Sequence, residues 1–187
     1  GTQAYGVAIT GSTNEVKAAL AGSFAGTLTG AVTITDNPST ADLATINNAT
    51  NGTITLSGTD AYGLAISGSV STVKSALSGT FGSTLLGAVT LTDTSGTIAA
   101  TDLSAIGGST GGTVTSSNAI TISGATADIT AALVTGSTKV TAGSAHVTFT
   151  DNPATSALQD INDAAGGTIT LTGTDAYSLA FSGSTAT

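Results

Sequence analysis

Cysteine, methionine, tryptophan and arginine are absent from this 187-residue chain, and histidine occurs once. Without thiols there is no disulfide framework and no thiol chemistry, and one imidazole cannot make a structural zinc or iron–sulfur site. Three lysines against eleven acidic residues, for a net charge of -8, cannot neutralise a phosphate backbone, which excludes nucleic acid as a partner. The same count excludes a basic helix lying on a membrane surface. No run of 18 apolar residues occurs, so no membrane insertion is expected. No charged start leading into an apolar core is legible, and the first residue is Gly1, so the expectation is of a mature product or a fragment. Charged residues are 7% and aromatics 4%, where an ordinary domain carries about a quarter charged.

What is present is a 40% hydrophobic content set in a background of Ser and Thr, which supply about a third of the chain. A disordered acidic segment would hold fewer Val, Ile and Leu. Self-comparison is more informative still. Ala4-Tyr5-Gly6-Val7-Ala8-Ile9-Thr10-Gly11-Ser12 returns at Ala61 to Ser69 and at Ala176 to Ser184, with a degenerate copy at Ser117 to Gly124. A second block, Ala31-Val32-Thr33-Ile34-Thr35-Asp36, returns at Ala88 to Asp93 and at His146 to Asp151. The third, Gly52-Thr53-Ile54-Thr55-Leu56, returns at Gly112 to Ser116 and at Gly167 to Leu171. The chain reads as three tandem units that recur with the step from Ala4 to Ala61, a period of about 57. They are 1–57, starting mid-unit; 58–116; and 117–172, degenerate at its start. Residues 173–187 would be the first strand of a fourth. Neither end looks like a polar capping repeat, so the expectation is a segment of a longer array or a subunit that stacks end to end, with copies of itself or adjacent repeats as partners.

Each block alternates apolar with hydroxyl or small residues, the period of a strand; Val32 and Ile34 face one side and Thr33 and Thr35 the other. Between blocks the spacing changes to that of a helix face, with Val16 and Leu20, Val73 and Leu77, and Ile129 and Leu133 four apart. Ser12 with Glu15 fits a capping box. Leu43 and Ile46, Leu103 and Ile106, and Leu158 and Ile161 are three apart, after Thr40, Thr101 and Thr155 as expected N-caps. One unit is then strand, helix, strand, helix, strand. Isolated helices below ~12 residues are marginal, so neighbouring units must close the core. The fold expected is a repetitive α/β solenoid with parallel β-sheet and short helices; the alternative is an all-β array of tandem modules. The segment from Asp93 to Leu103 is longer than its counterparts and reads as an insertion-tolerant surface loop. The Tyr5, Tyr62 and Tyr177 position, Asn118 in the degenerate copy, reads as the edge of the core.

The combination of Val-Thr-Ile-Thr-Asp (Val32 to Asp36), Thr-Ala-Asp-Leu-x-x-Ile (Thr40 to Ile46), Gly-Thr-Ile-Thr-Leu and Ile-Ser-Gly resembles the Thr/Ala/Gly-rich tandem repeats of very large secreted and cell-surface proteins, known especially from cyanobacteria. The resemblance covers essentially the whole chain. It implies an extracellular or cell-surface, non-catalytic, filamentous or adhesive role, and brings no functional residues with it.

Few residues point to chemistry, and no catalytic set is expected. Gly107-Gly108-Ser109-Thr110-Gly111 has the letters of a nucleophile elbow but is expected after a helix and before a strand, the reverse of that motif's context. His146 replaces Ala31 and Ala88 of the other copies and reads as a surface substitution. Asp36, Asp93 and Asp151 recur at a strand end and are the candidate ligands for calcium, the only cofactor in view; Asp60 and Asp175 read the same way. Asp-Asn-Pro is also a turn signal in its own right. Asn48 and Asn51 form glycosylation sequons. The main surface feature is the set of Thr-x-Thr pairs: Thr33 and Thr35, Thr53 and Thr55, Thr90 and Thr92, Thr113 and Thr115, Thr148 and Thr150, Thr168 and Thr170. Stacked in register they would make a flat, uncharged ladder. The leading functional expectation is a structural or adhesive protein that stacks into a fibre or a long surface array. The alternative is that the ladder binds ice or carbohydrate, with surface glycans as a further partner.

Overall fold

The computed structural model describes residues 6–138 and 140–174. Tyr5, Asp175, Tyr177, the third copy of the first block and all but the first two residues of the strand expected in 173–187 lie outside the described residues. The chain divides into two compact units, Gly1–Thr90 with Ser109–Thr113, and Leu91–Gly108 with Val114–Thr187. The architecture is α/β, with parallel sheets and six short helices among the described residues, so the all-β alternative is set aside.

In the first unit, β1 (Ile9–Gly11), β2 (Val32–Ile34) and β3 (Ile54–Leu56) form a parallel sheet, with Ile9 opposite Val32 and Val32 opposite Ile54. A parallel bridge from Ile54 to Phe81 extends it. Helix α1 (Thr13–Leu20) connects β1 to β2, and α2 (Thr40–Ala49) connects β2 to β3. A 3-10 turn at Ala61–Gly63 leads to β4 (Ile66–Gly68) and then α3 (Val70–Leu77). The Ile66 N–H donates to Ala88 O beside β5 (Val89–Leu91), the strand in which the two units divide.

In the second unit, β6 (Thr97–Ala99) leads directly into α4 (Ala100–Gly108); β7 (Val114–Ser116), β8 (Thr121–Gly124), α5 (Thr126–Leu133), β9 (Val140–Thr141), β10 (His146–Phe149), α6 (Thr155–Ala164) and β11 (Ile169–Leu171) follow. A parallel sheet runs in the order β6, β8, β10, β11, and β7 pairs with β9. Within the units, every registered pair joins strands about two dozen positions apart, from Val32 with Ile54 at the short end to Val114 with Val140 at the long end. That pairing step is less than half the period at which the sequence repeats, Ala4 to Ala61.

The alternation in the strands decides what is inside. Val32, Ile34, Ile54 and Leu56 are buried while Thr33 and Thr55 between them are partly exposed. The helical pairs Val16 and Leu20, Val73 and Leu77, Ile129 and Leu133 are all buried, as are Leu43, Ile46, Leu103, Ile106 and Ile161. Fully burying such aliphatic side chains contributes roughly 1.5–3 kcal/mol each. Leu158 is partly exposed. Helix α2 packs against both α1 and α3, and α5 against both α4 and α6.

The helix starts differ from expectation. Ser39 and Ala154 are the N-caps of α2 and α6, so Thr40 and Thr155 are first helical residues, and Thr101 lies inside α4. Ser39 Oγ accepts from the Asp42 N–H at 3.2 Å; Thr40 instead accepts from the Ser67 N–H at 2.9 Å, tying α2 to β4. The Ser12–Glu15 capping box is present, with Glu15 Oε2 accepting from the Ser12 N–H and hydroxyl at 2.8 Å each. The longer Asp93 to Leu103 segment is not simply a loop. It forms β6, because Ile98 supplies an apolar side chain that buries opposite Ile122 of β8. Tyr62 sits partly exposed with its hydroxyl accepting from the Leu56 N–H at 3.3 Å, and Asn118 donates from Nδ2 to Asp93 O at 2.8 Å.

Candidate functional site

The hydroxyl rows are the most regular surface. In the first unit Thr10, Thr33 and Thr55 lie directly opposite one another across three strands. Parallel strands are spaced ~4.8 Å, so the row repeats at that interval. None of the three hydroxyls has a hydrogen-bond partner among the described residues. In the second unit Ser123, Thr148 and Thr170 form one such row, and the hydroxyls of Thr97 and Thr121 line up with the imidazole of His146 in place of a third. Thr115 lies opposite Thr141, and Thr90 is exposed on β5. The twelve expected threonines do not make a single ladder. Thr33 and Thr55 share one sheet and Thr148 and Thr170 another, while Thr35, Thr53, Thr92, Thr113, Thr150 and Thr168 are exposed just beyond the strand ends. The strands that carry these pairs are so short that only one member of each pair is held in a ladder.

The acidic turns have a use that spacing does not reveal. Asp36 Oδ1 accepts from both the Thr13 N–H, at 2.7 Å, and the Thr13 hydroxyl, at 2.5 Å, across a separation of 23 residues. Asp151 Oδ1 does the same for Thr126, at 2.8 and 2.6 Å, across 25 residues. Both threonines are first residues of helices, so each carboxylate meets the donor-rich, positive end of α1 or α5. These bonds from the Thr13 hydroxyl and N–H hold the Asp36 carboxyl below its ordinary value of 3.8. Asn37 and Asp60 join reciprocally, Asn37 Nδ2 to Asp60 Oδ2 at 2.7 Å and Asp60 N–H to Asn37 Oδ1 at 3.2 Å. Asp93 contributes its backbone carbonyl to Asn118. Among the described residues no three His, Cys, Asp or Glu side chains gather in a way that could hold a metal ion.

Lys17 of α1 pairs with Asp42 of α2, and hydrogen bonds from Lys17 and Ser39 hold the Asp42 carboxyl below its ordinary value. His146 Nδ1 accepts from the Thr168 N–H at 2.8 Å, which joins β10 to the approach of β11. Gly107 and Gly108 end α4, and Ser109 to Gly111 lie between it and β7, with no strand leading into the serine. Asn48, at the end of α2, and Asn51 are exposed, while Thr50 is buried and donates to Leu28 O at 3.1 Å.

Two sets of residues escaped sequence reasoning. A Cβ on Gly30 would lie 1.9 Å from Val7 O, and one on Gly52 only 1.8 Å from Gly30 O. Those positions therefore stack backbone directly on backbone. The available signal was a glycine two residues before the first buried residue of successive strands. Asn47 was also missed. From α2 its Nδ2 donates to Ser75 O at 2.7 Å and Ser78 Oγ at 2.9 Å, satisfying the carbonyl end of α3. Comparison of the chain with protein-family models, with curated proteins and with solved structures gives no match.

Proposed function

We propose that the protein is a structural or adhesive scaffold of the cell surface or extracellular space, built as a repetitive α/β solenoid whose units stack lengthwise. The observation that carries this reading is the pairing of each registered strand, in parallel, with one about two dozen positions along the chain. A solenoid is the arrangement in which every turn of the chain templates the next and contacts little else. The cross-ties agree with it: Asp36 to Thr13, Asp151 to Thr126 and Asn47 to Ser75 each bridge one such step. Low charge suits the role, since a long array of like-charged turns would repel itself. The test is a covalent fusion of three copies studied by small-angle scattering. A rod of constant cross-section that lengthens with each copy is expected; compact beads joined by loose connections would defeat the proposal.

The row Thr10, Thr33, Thr55 favours a second reading, in which an ordered array of hydroxyl and methyl groups organises water and binds ice. Thermal hysteresis of the purified protein, lost in Thr33→Lys, is the expected result. No hysteresis in the unaltered chain ends that reading.

A further inference from the structure

The face formed by α2 and β3 is covered inside the first unit. Leu43 and Ile54 are fully buried, α3 packs on α2, and Ile54 bridges to Phe81, donating its N–H to Thr80 O at 2.8 Å. Asn47 closes the junction by bonding the end of α3, where a Cβ on Gly79 would lie 2.0 Å from Asn47 Oδ1. The same residues recur 115 positions later, as Leu158, Ile161, Asn162 and Ile169 on α6 and β11. There Leu158 and Ile169 are only partly buried. They line a depression of about 400 Å³ with Thr155, Gln159 and Asn162 and no charged side chain. The Asn162 amide has no hydrogen-bond partner among the described residues.

The covering piece also recurs, 57 positions earlier. Helix α1 matches α3, Val16 and Leu20 match Val73 and Leu77, Gly22 matches Gly79, and Phe24 matches Phe81. Ala18, Ala21 and Gly22 are exposed, and Phe24 is 44% exposed in a chain with only four phenylalanines.

We propose that the α6–β11 face of one molecule receives the α1–Phe24 edge of a second copy, as α2 and β3 receive α3 and Phe81 within the chain. Asn162 donates to the Ala18 carbonyl, and the Ile169 N–H to the Ser23 carbonyl. Gln159 stands where α2 has the smaller Ala44, but the groove between α2 and α3 leaves about 340 Å³ beside that alanine, room for the longer side chain. The joint also brings Asp160 and Asp163, at the places of Thr45 and Asn48, towards Glu15, at the place of Thr72. Those carboxylates repel, so added salt strengthens the association by screening them.

This interface rests on the scaffold reading, and its test is separate. Because the chain has no cysteine, Asn162→Cys and Ala21→Cys are prepared as two single-cysteine proteins, mixed and oxidised. A disulfide forms only where the two Cα atoms approach within about 7 Å. The mixed dimer is expected in about ten-fold excess over either self-dimer, with a yield that rises from about 50 mM to about 500 mM salt. Phe24→Asp in the Ala21→Cys protein is expected to abolish the excess, while circular dichroism and melting show that the exposed site leaves the fold intact. Mixed dimers no more abundant than self-dimers, or no effect of Phe24→Asp in a folded protein, overturn the proposal. A rod from fused copies combined with no preferential cross-link removes the docking and leaves the scaffold reading standing. Beads from fused copies remove the scaffold reading whatever the gel shows.

Discussion

Ser116 ends the sequence Gly-Thr-Val-Thr-Ser where the other two copies of that block end in Leu56 and Leu171. Its side chain is buried, and its hydroxyl has no hydrogen-bond partner among the described residues. A buried, unsatisfied hydroxyl costs ~1–3 kcal/mol, so removing it should help. Ser116→Ala is expected to raise unfolding free energy by about 1 kcal/mol, read as a higher urea midpoint with an unchanged slope. Gly52 is the opposite case. A methyl group there would meet Gly30 O at 1.8 Å, well inside contact distance, and the obstacle is backbone that cannot swing away. Gly52→Ala should lower stability by at least ~2 kcal/mol in the same titration.

Among the helices, α5 shows how a neighbour supplies what the local sequence lacks. Its N-cap is Ala125, which has no side-chain acceptor, and Asp151 provides one from 25 residues away. Asp151→Ala is expected to lower the melting temperature by about 2–5 °C, an effect that circular dichroism would resolve. Acid should act on the first unit by a related route. Glu15 is held below its ordinary 4.5 by hydrogen bonds from Ser12, Asp36 below 3.8 by those from Thr13, and Asp42 below 3.8 by those from Lys17 and Ser39. In each case the unfolded chain binds its proton at higher pH than the folded one. The stabilisation is therefore complete above about pH 5 and drains away as pH falls through the lowered folded values. Urea midpoints measured from pH 7 to pH 2 should be flat and then fall below about pH 4.5; a midpoint that stays constant to pH 2 would contradict this account.

The elements most legible in the sequence were those with a local signature. Alternation located β2 and β3, four-residue spacing located the buried faces of α1, α3 and α5, and Ser12 with Glu15 marked a helix start. The residues that join one strand step to the next were not legible, because their partners are set by register. Asp36 looks like a metal ligand or a turn until Thr13 is placed beside it. The inserted segment looked like a loop because length alone says nothing of Ile98, whose burial opposite Ile122 makes β6 a strand. The hydroxyl surface was half legible: period two placed Thr33 and Thr55 outward, but the shortness of the strands left Thr35 and Thr53 beyond the ladder.

For the molecule as a whole, scattering from fused copies together with the mixed cross-link decides whether copies assemble lengthwise. The short pairing distance has another outcome, in the rate at which the fold forms. Parallel sheets are ordinarily slow to assemble because their strands lie far apart along the chain, and loop closure must precede any contact. Here the partner of each registered strand lies only about two dozen positions away. Refolding from urea should accordingly be faster than for β-sandwich domains of comparable length, on a timescale of milliseconds in stopped-flow measurements. A chain delivered end first through a pore could settle each strand onto the last as it emerges, with no need to wait for the far end.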